Sequence, residues 1–208
     1  MKGKFITLEG GEGSGKSTQA KLLADALKKK GYSVVLTKEP GSTVSGAKIR
    51  EILLSPETKK LCPEAETFLF MADRAQHISE IVRPALEQGK IVVSDRHGDS
   101  TLAYQGYGRG LDKDMIKKMS LFATHDLRPD LTLVLDVSAK QGLERASAKA
   151  EFSKRDRIES EKIEFHHRIA EGFRKIAGLE PGRVKLIPHG SIEHVHKEIM
   201  KHVEKILD

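Results

Sequence analysis

Phe5-Ile6-Thr7-Leu8-Glu9-Gly10-Gly11-Glu12-Gly13-Ser14-Gly15-Lys16-Ser17 is the stretch that decides how this chain folds. A short apolar run of strand character enters a glycine-rich turn, and a helix is expected from Lys16 onward. Residues 10–17 fit the pattern GxxxxGK[ST]. Glycine tolerates the backbone angles that aim several N–H groups at one anion, and the positive end of the following helix dipole adds to the attraction. In loops of this kind the lysine reaches the β- and γ-phosphates and the hydroxyl ligates Mg²⁺, parts that fall here to Lys16 and Ser17. A chance glycine-rich turn would not require a strand before it and a helix after it. Nucleotide binding is therefore the expectation from which the rest is read.

The chain has 208 residues, 38% of them hydrophobic, enough for a substantial core, and no linker-like polar stretch divides it. A single domain over 1–208 is expected. No apolar segment approaches the roughly 20 residues needed to cross a bilayer, and no secretory signal precedes the first strand, so a soluble, cytoplasmic protein with no membrane partner is expected. The lone cysteine, Cys62, excludes an internal disulfide or a cysteine cluster for zinc and reads as a small packing residue beside Pro63. A net charge of +6 suits nucleic acid or small anionic substrates. The absence of any block of five or six basic residues favours the small anions. Lys28-Lys29-Lys30 reads as a solvated helix end before Gly31, and the nine histidines, in no metal-binding pattern, as mostly surface residues.

β-Branched apolar runs recur at 5–8, 34–36, 91–93, 131–137 and 184–187, with segments of helical period between them. That alternation predicts an α/β fold with a parallel sheet. Helices are expected over about 16–30, 45–54, 64–88, 112–123, 139–150, 159–177 and 192–206, with Gly31, Gly89, Asp112 and Ser191 as caps. Ligands of such sheets gather beyond the carboxyl ends of the strands, where Lys38-Glu39-Pro40-Gly41 and Asp95-Arg96 join the glycine loop. Asp95 reads either as a Mg²⁺-shell carboxylate or as a turn aspartate, and Arg96 beside it suits a second phosphate group. Phe70 and Arg74, four residues apart, share one helix face. Together they could read a base, although crowding with Phe68 and Leu69 makes a core role for Phe70 the commoner outcome of such periodicity. The basic stretch from Arg145 to Arg157 reads either as a lid closing over phosphates or as a salt-bridged helix surface beside Glu144, Glu151 and Glu159.

The pieces Leu8 through Gln19, Glu39-Pro40-Gly41, Phe70-Met71-Ala72-Asp73-Arg74, Asp95-Arg96-His97, Ser100 through Gly106 and Asp156-Arg157-Ile158-Glu159 together resemble the thymidylate kinase family across nearly the whole chain. The resemblance implies a three-layer P-loop kinase fold around a five-stranded parallel sheet, a homodimer, and transfer of the γ-phosphate of ATP to dTMP for dTTP synthesis with Mg²⁺. By position it implies that Phe70 stacks on thymine and Arg74 hydrogen-bonds its exocyclic oxygen. Arg50 and Arg96 would hold the dTMP phosphate, and Glu12 would face the 3′-hydroxyl. Ser100 and Thr101 would edge the base, Gln105 would line the pocket, and Tyr104 would crowd the 2′ position. ATP would take Gly10, Gly11, Glu12, Gly13, Ser14, Gly15, Lys16, Ser17 and Thr18, with Arg145 against adenine; Ser17 and Asp95 would hold the metal. The catalytic set it implies is Lys16, Asp95, Arg96 and Arg155.

No basic residue stands among Gly11, Glu12, Gly13 and Ser14, so the chain looks like the bacterial type that draws its cation from a lid at about 145–158. That lid has Ser147 and Lys149 where arginines are common in the family, and extra residues before Asp156. Arg155 is the preferred cation, with Lys149 and Arg157 as alternatives. Pro188-His189-Gly190-Ser191 replaces a more usual Asp-Ala-Ser adenine loop. Two other readings remain: a kinase for another nucleotide or a deoxynucleoside, against which the Arg50 and Arg96 pair argues, and a GTPase-like switch, which would normally carry an Asn-Lys-x-Asp motif that is not present.

Overall fold

The computed structural model describes residues 3–150 and 156–207. Among them, β1 (Lys4–Glu9), β2 (Val34–Lys38), β3 (Ile91–Asp95), β4 (Leu131–Asp136) and β5 (Val184–Pro188) form one sheet in the order β2-β3-β1-β4-β5. Every neighbouring pair is parallel. The central strands β1, β3 and β4 are buried along nearly their whole length, which is why they read as continuous apolar runs rather than as alternating ones.

Helices cover both faces. On one side Ile6, Leu8 and Val93 meet Leu23 and Leu27 of α1 (Lys16–Lys29) and Ile199 and Val203 of α9 (Ile192–Leu207). On the other, Phe5 and Val92 pack with Ile78 and Val82, while Val134 packs with Phe165, Ile169 and Phe173 of α8 (Ile163–Leu179). Each fully buried aliphatic or aromatic side chain of this kind contributes about 1.5–3 kcal/mol relative to exposure. α2 spans Val44–Leu54, α6 spans Lys113–Thr124 and α7 spans Ala139–Ala150. Asp112 caps α6 by accepting from the N–H groups of Asp114 and Met115, and the Ser191 hydroxyl accepts from His194 N at the start of α9.

Four expectations need correction. The single helix expected at 64–88 is α3 (Pro63–His77), a π-helical stretch at Ile78–Val82, and α4 (Arg83–Glu87). Pro84 lacks an N–H and its ring crowds the carbonyl four residues back, so the turn before it widens. Residues 98–108, given no helix by the sequence, form a turn α5 (Gly98–Thr101) that continues as a π-helix over Leu102–Gly108. Their polar and apolar side chains are buried alike, which leaves no amphipathic period to detect. The helix expected from 159 begins at Ile163. Cys62 is exposed rather than packed, and His77, His97 and His166 are buried.

Candidate active site

The strand registers align the carboxyl ends that matter. Leu8 of β1 and Lys38 of β2 both lie beside Asp95 of β3, so the glycine loop, the Glu39-Pro40 turn and the Asp95-Arg96 pair emerge together. A cavity of about 350 Å³ opens there, lined by residues 12–18, Arg50, Phe70, Arg74, Asp95, Arg96, Ser100, Thr101, Tyr104 and Gln105. Ala146, Asp156, Ile158 and Glu159 line it as well.

Within the loop, Gly13 has φ of +62°, and a Cβ there would meet the carbonyl oxygen of Gly142 in α7 at 1.9 Å. A Cβ on Gly142 would in turn meet Glu12 O at 2.2 Å, so loop and helix touch backbone to backbone. Lys16 Nζ donates to the carbonyls of Gly10 (3.0 Å) and Gly11 (2.7 Å). Burial, with Arg96 adding to it and Glu12 opposing, pulls Lys16 down to about 8. Ser17 Oγ donates to Asp95 Oδ2 at 2.5 Å.

Arg96 adopts φ of +74°, a left-handed conformation rare for a side-chain-bearing residue. Its N–H donates to Leu8 O at 2.9 Å and the Ser94 hydroxyl donates to its carbonyl at 2.8 Å, which holds the turn. The guanidinium then faces the loop: Nη2 donates to Glu12 Oε1 at 2.7 Å and Nη1 to the Tyr104 hydroxyl at 2.9 Å. Tyr104 donates its own proton to Glu12 Oε1 at 2.5 Å. Burial disfavours a charged Glu12, but Arg96 and Lys16 outweigh it and hold the carboxyl at about 2.

At the other end of the cavity, Phe70 is half-buried while Phe68 points outward at 64% exposure. The core residue of that turn is Met71, so the crowding of Phe68, Leu69 and Phe70 did not mean burial. Arg74 is 1% exposed, donates from Nε to Glu39 Oε2 at 2.9 Å and from Nη2 to Thr101 Oγ1 at 2.9 Å. Arg50 donates to Pro40 O at 3.0 Å.

The thymidylate kinase family model matches residues 8–199. The chain belongs to the thymidylate kinase family. A thymidylate kinase of Halothermothrix orenii is 46% identical over 208 residues, covering all of this chain and 99% of the relative. One from Carboxydothermus hydrogenoformans is 50% identical over 184 residues, covering 88% and 89%. The crystal structure of thymidylate kinase from Ehrlichia chaffeensis superposes with a TM-score of 0.81 at 36% identity, covering 98% of this chain and 99% of that one. The chain is thus an ATP-dependent nucleoside monophosphate kinase with the P-loop kinase fold, and the family's reaction converts dTMP and ATP to dTDP and ADP.

Among the buried carboxylates to which the sequence reading gave no role, Glu39 lines the cavity of this kinase and Glu66 lies outside its lining. Glu39 takes Arg74 on one oxygen and Nδ1 of both His77 and His97, each at 2.8 Å, on the other. Burial works against its ionisation, yet Arg74, His97 and the histidine hydrogen bonds keep it well below the usual carboxylate range. His97 is held below its usual value, mainly by burial, against the opposing pull of Glu39. Glu66 pairs with Gln105, Arg109 and Arg157. The signal for the first cluster was present, since Arg74 and His77 are three residues apart on one face of α3 and Glu39 directly follows β2; its partners are far apart in sequence.

The lid residues divide. Arg157 is no longer a candidate for the phosphate cation: it is buried, with Nη2 2.5 Å from Glu66 and Nε donating to Leu53 O. Arg155 lies outside the described residues. Arg145 is exposed and does not line the cavity; its Nη2 lies 2.6 Å from His189 Nε2, in the stretch that replaces the usual adenine loop.

Proposed function

We propose that the single cavity beyond β1, β2 and β3 holds ATP at its loop end and dTMP at its α3 end, so that the γ-phosphate passes between them. One observation carries this reading: the glycine loop, Arg96, and the Phe70 and Arg74 pair line the same cavity. Loop amides and Lys16 cradle the ATP phosphates, while Arg50 and Arg96 hold the dTMP phosphate. Phe70 stacks on the base and Arg74 donates to its exocyclic oxygen. Ser100 and Thr101 edge the same base. Glu12, kept ionised, accepts from the 3′-hydroxyl, and the Tyr104 ring fills the space that a 2′-hydroxyl would need. The attacking phosphate oxygen is already ionised, so no general base is required.

Ser17 and Asp95 bring a hydroxyl and a carboxylate together, hard oxygen donors that fit a Mg²⁺ completing its shell with phosphates and water. The ion would neutralise charge on the β- and γ-phosphates. Arg155 is the lid cation and Arg145 the residue at the adenine side. The chain acts as one domain with 145–158 closing over it, which shields the transfer from water.

A second copy of the chain covers the apolar face of α3 and α6. Phe68 and Phe122 stand 64% and 85% exposed there, beside Met119 and Ala75, an apolar face of the kind a partner covers.

The test is ADP release from Mg-ATP with each nucleoside monophosphate in turn and a control without acceptor. Turnover with dTMP far above the others is expected. Preference for a different monophosphate would overturn the base assignment, and hydrolysis indifferent to acceptor would overturn the transfer.

A further inference from the structure

Glu66 sits in α3 at 1% exposure, and its carboxylate accepts from two side chains, Gln105 Nε2 at 2.7 Å and Arg109 Nε and Nη2 at 3.2 and 3.1 Å, with the Arg157 guanidinium beside it as an ion pair at 2.5 Å. An ionised carboxylate only accepts. It therefore fixes which end of the Gln105 amide faces it, and Oε1 is turned the other way. That oxygen meets no donor among the described residues, although Gln105 is itself 1% exposed. A buried acceptor left open calls for an explanation. Gln105 lines the same cavity as Phe70 and Arg74.

Arg74 is fixed in the opposite electrostatic sense. Glu39 and Thr101 hold its guanidinium, which can only donate. The cavity wall thus offers one donor side chain and one acceptor oxygen. A 4-oxo pyrimidine with an N3–H presents an acceptor beside a donor, the complement of that pair. Cytosine presents an amino donor beside a bare N3, the reverse, and would leave two buried polar mismatches.

Resting on the reading of Phe70 and Arg74 as the base pocket, we propose that Glu66 is a positioning residue for base selection: by holding the Gln105 amide with its oxygen free, it makes the pocket select thymine over cytosine. Glu66 touches no substrate and acts only through Gln105.

The experiment compares kcat/KM for dTMP, dUMP and dCMP in the full-length wild type, Glu66→Gln, Gln105→Met, the double variant and Arg109→Lys. A neutral amide at 66 can either accept or donate, so the sense of Gln105 is released. Glu66→Gln should shrink the dTMP-to-dCMP ratio on the order of tenfold, with the dTMP-to-dUMP ratio unchanged because both bases carry the same edge. Gln105→Met should shrink it alike, and adding Glu66→Gln to it should do nothing more. Arg109→Lys, which changes one donor to Glu66 but keeps the carboxylate and Gln105 themselves, should keep the wild-type ratio. An unchanged ratio in Glu66→Gln, or an equal loss in Arg109→Lys, overturns the proposal while leaving the kinase reading intact. A wild type that does not use dTMP overturns the underlying reading instead. Should Glu66→Gln fail to fold, a crystal structure of the wild type with dTMP decides: Gln105 Oε1 within hydrogen-bond distance of N3 supports the proposal, and Nε2 there overturns it.

Discussion

Lys16 is a cation stored in a place that disfavours its charge. Burial pulls it down to about 8 from 10.5, and its ammonium donates to two carbonyls and the Ser14 hydroxyl of its own loop. Between those two values the unfolded chain binds the proton more tightly than the folded one, so this group adds stability as pH rises from about 8 to 10.5. Polyphosphate reverses the preference by favouring the ammonium form. ATP binding should therefore take up a proton, and affinity should fall as pH rises above about 8. Calorimetry at pH 8.5 in two buffers of different ionisation enthalpy measures that uptake; identical apparent enthalpies would contradict it. Tyr104 separates two jobs within one side chain. Its hydroxyl bridges Arg96 and Glu12, while its ring packs against Phe165 and Phe173. Tyr104→Phe should lower kcat/KM for dTMP by about tenfold, the worth of a lost charge-assisted hydrogen bond, yet keep discrimination against UMP relative to dUMP because the ring remains. Admission of UMP by this variant would move the 2′ barrier elsewhere.

At the scale of elements, the glycine loop and α7 meet backbone to backbone, so nucleotide binding is expected to respond to the position of that helix. Gly13 and Gly142 meet with no room for a Cβ on either side. Gly142→Ala must push α7 away from Glu12 O, at a cost of about 1–3 kcal/mol in stability. The KM for ATP should rise several-fold while the KM for dTMP stays near wild type, a split that steady-state kinetics with each substrate varied would reveal. Periodicity located the central strands and most helices because those elements bury a consistent face. It failed at 98–108, where Ser100, Thr101, Tyr104 and Gln105 are all buried and the helix carries no outward polar stripe. It also failed at Phe70, since three large apolar residues in a row cannot all face inward on one helix and local spacing does not say which one turns toward the cavity.

For the molecule as a whole, the proposal that a second copy covers the α3 and α6 face sets the expected state of assembly. A Phe side chain buried at an interface brings 150–250 Å² with it. Phe122→Glu should weaken the dimer about 100-fold or more, on the order of 3 kcal/mol, and shift the mass seen by sedimentation toward the monomer. Retention of dimer mass at micromolar concentration would show that another surface joins the copies.

The order of elements, the position of the phosphate loop and the family were legible in the sequence, because each depends on short-range physics: glycines that permit one turn, a helix whose first N–H groups attract an anion, and apolar runs too continuous for any setting but a covered parallel sheet. The partners of the chemistry were decided only by the tertiary structure. Glu39 reaches Arg74 across 35 positions, Glu66 reaches Gln105 across 39, and Arg157 pairs with the same Glu66. A buried charge must find its partner wherever the fold brings one close. No spacing along the chain carries that information.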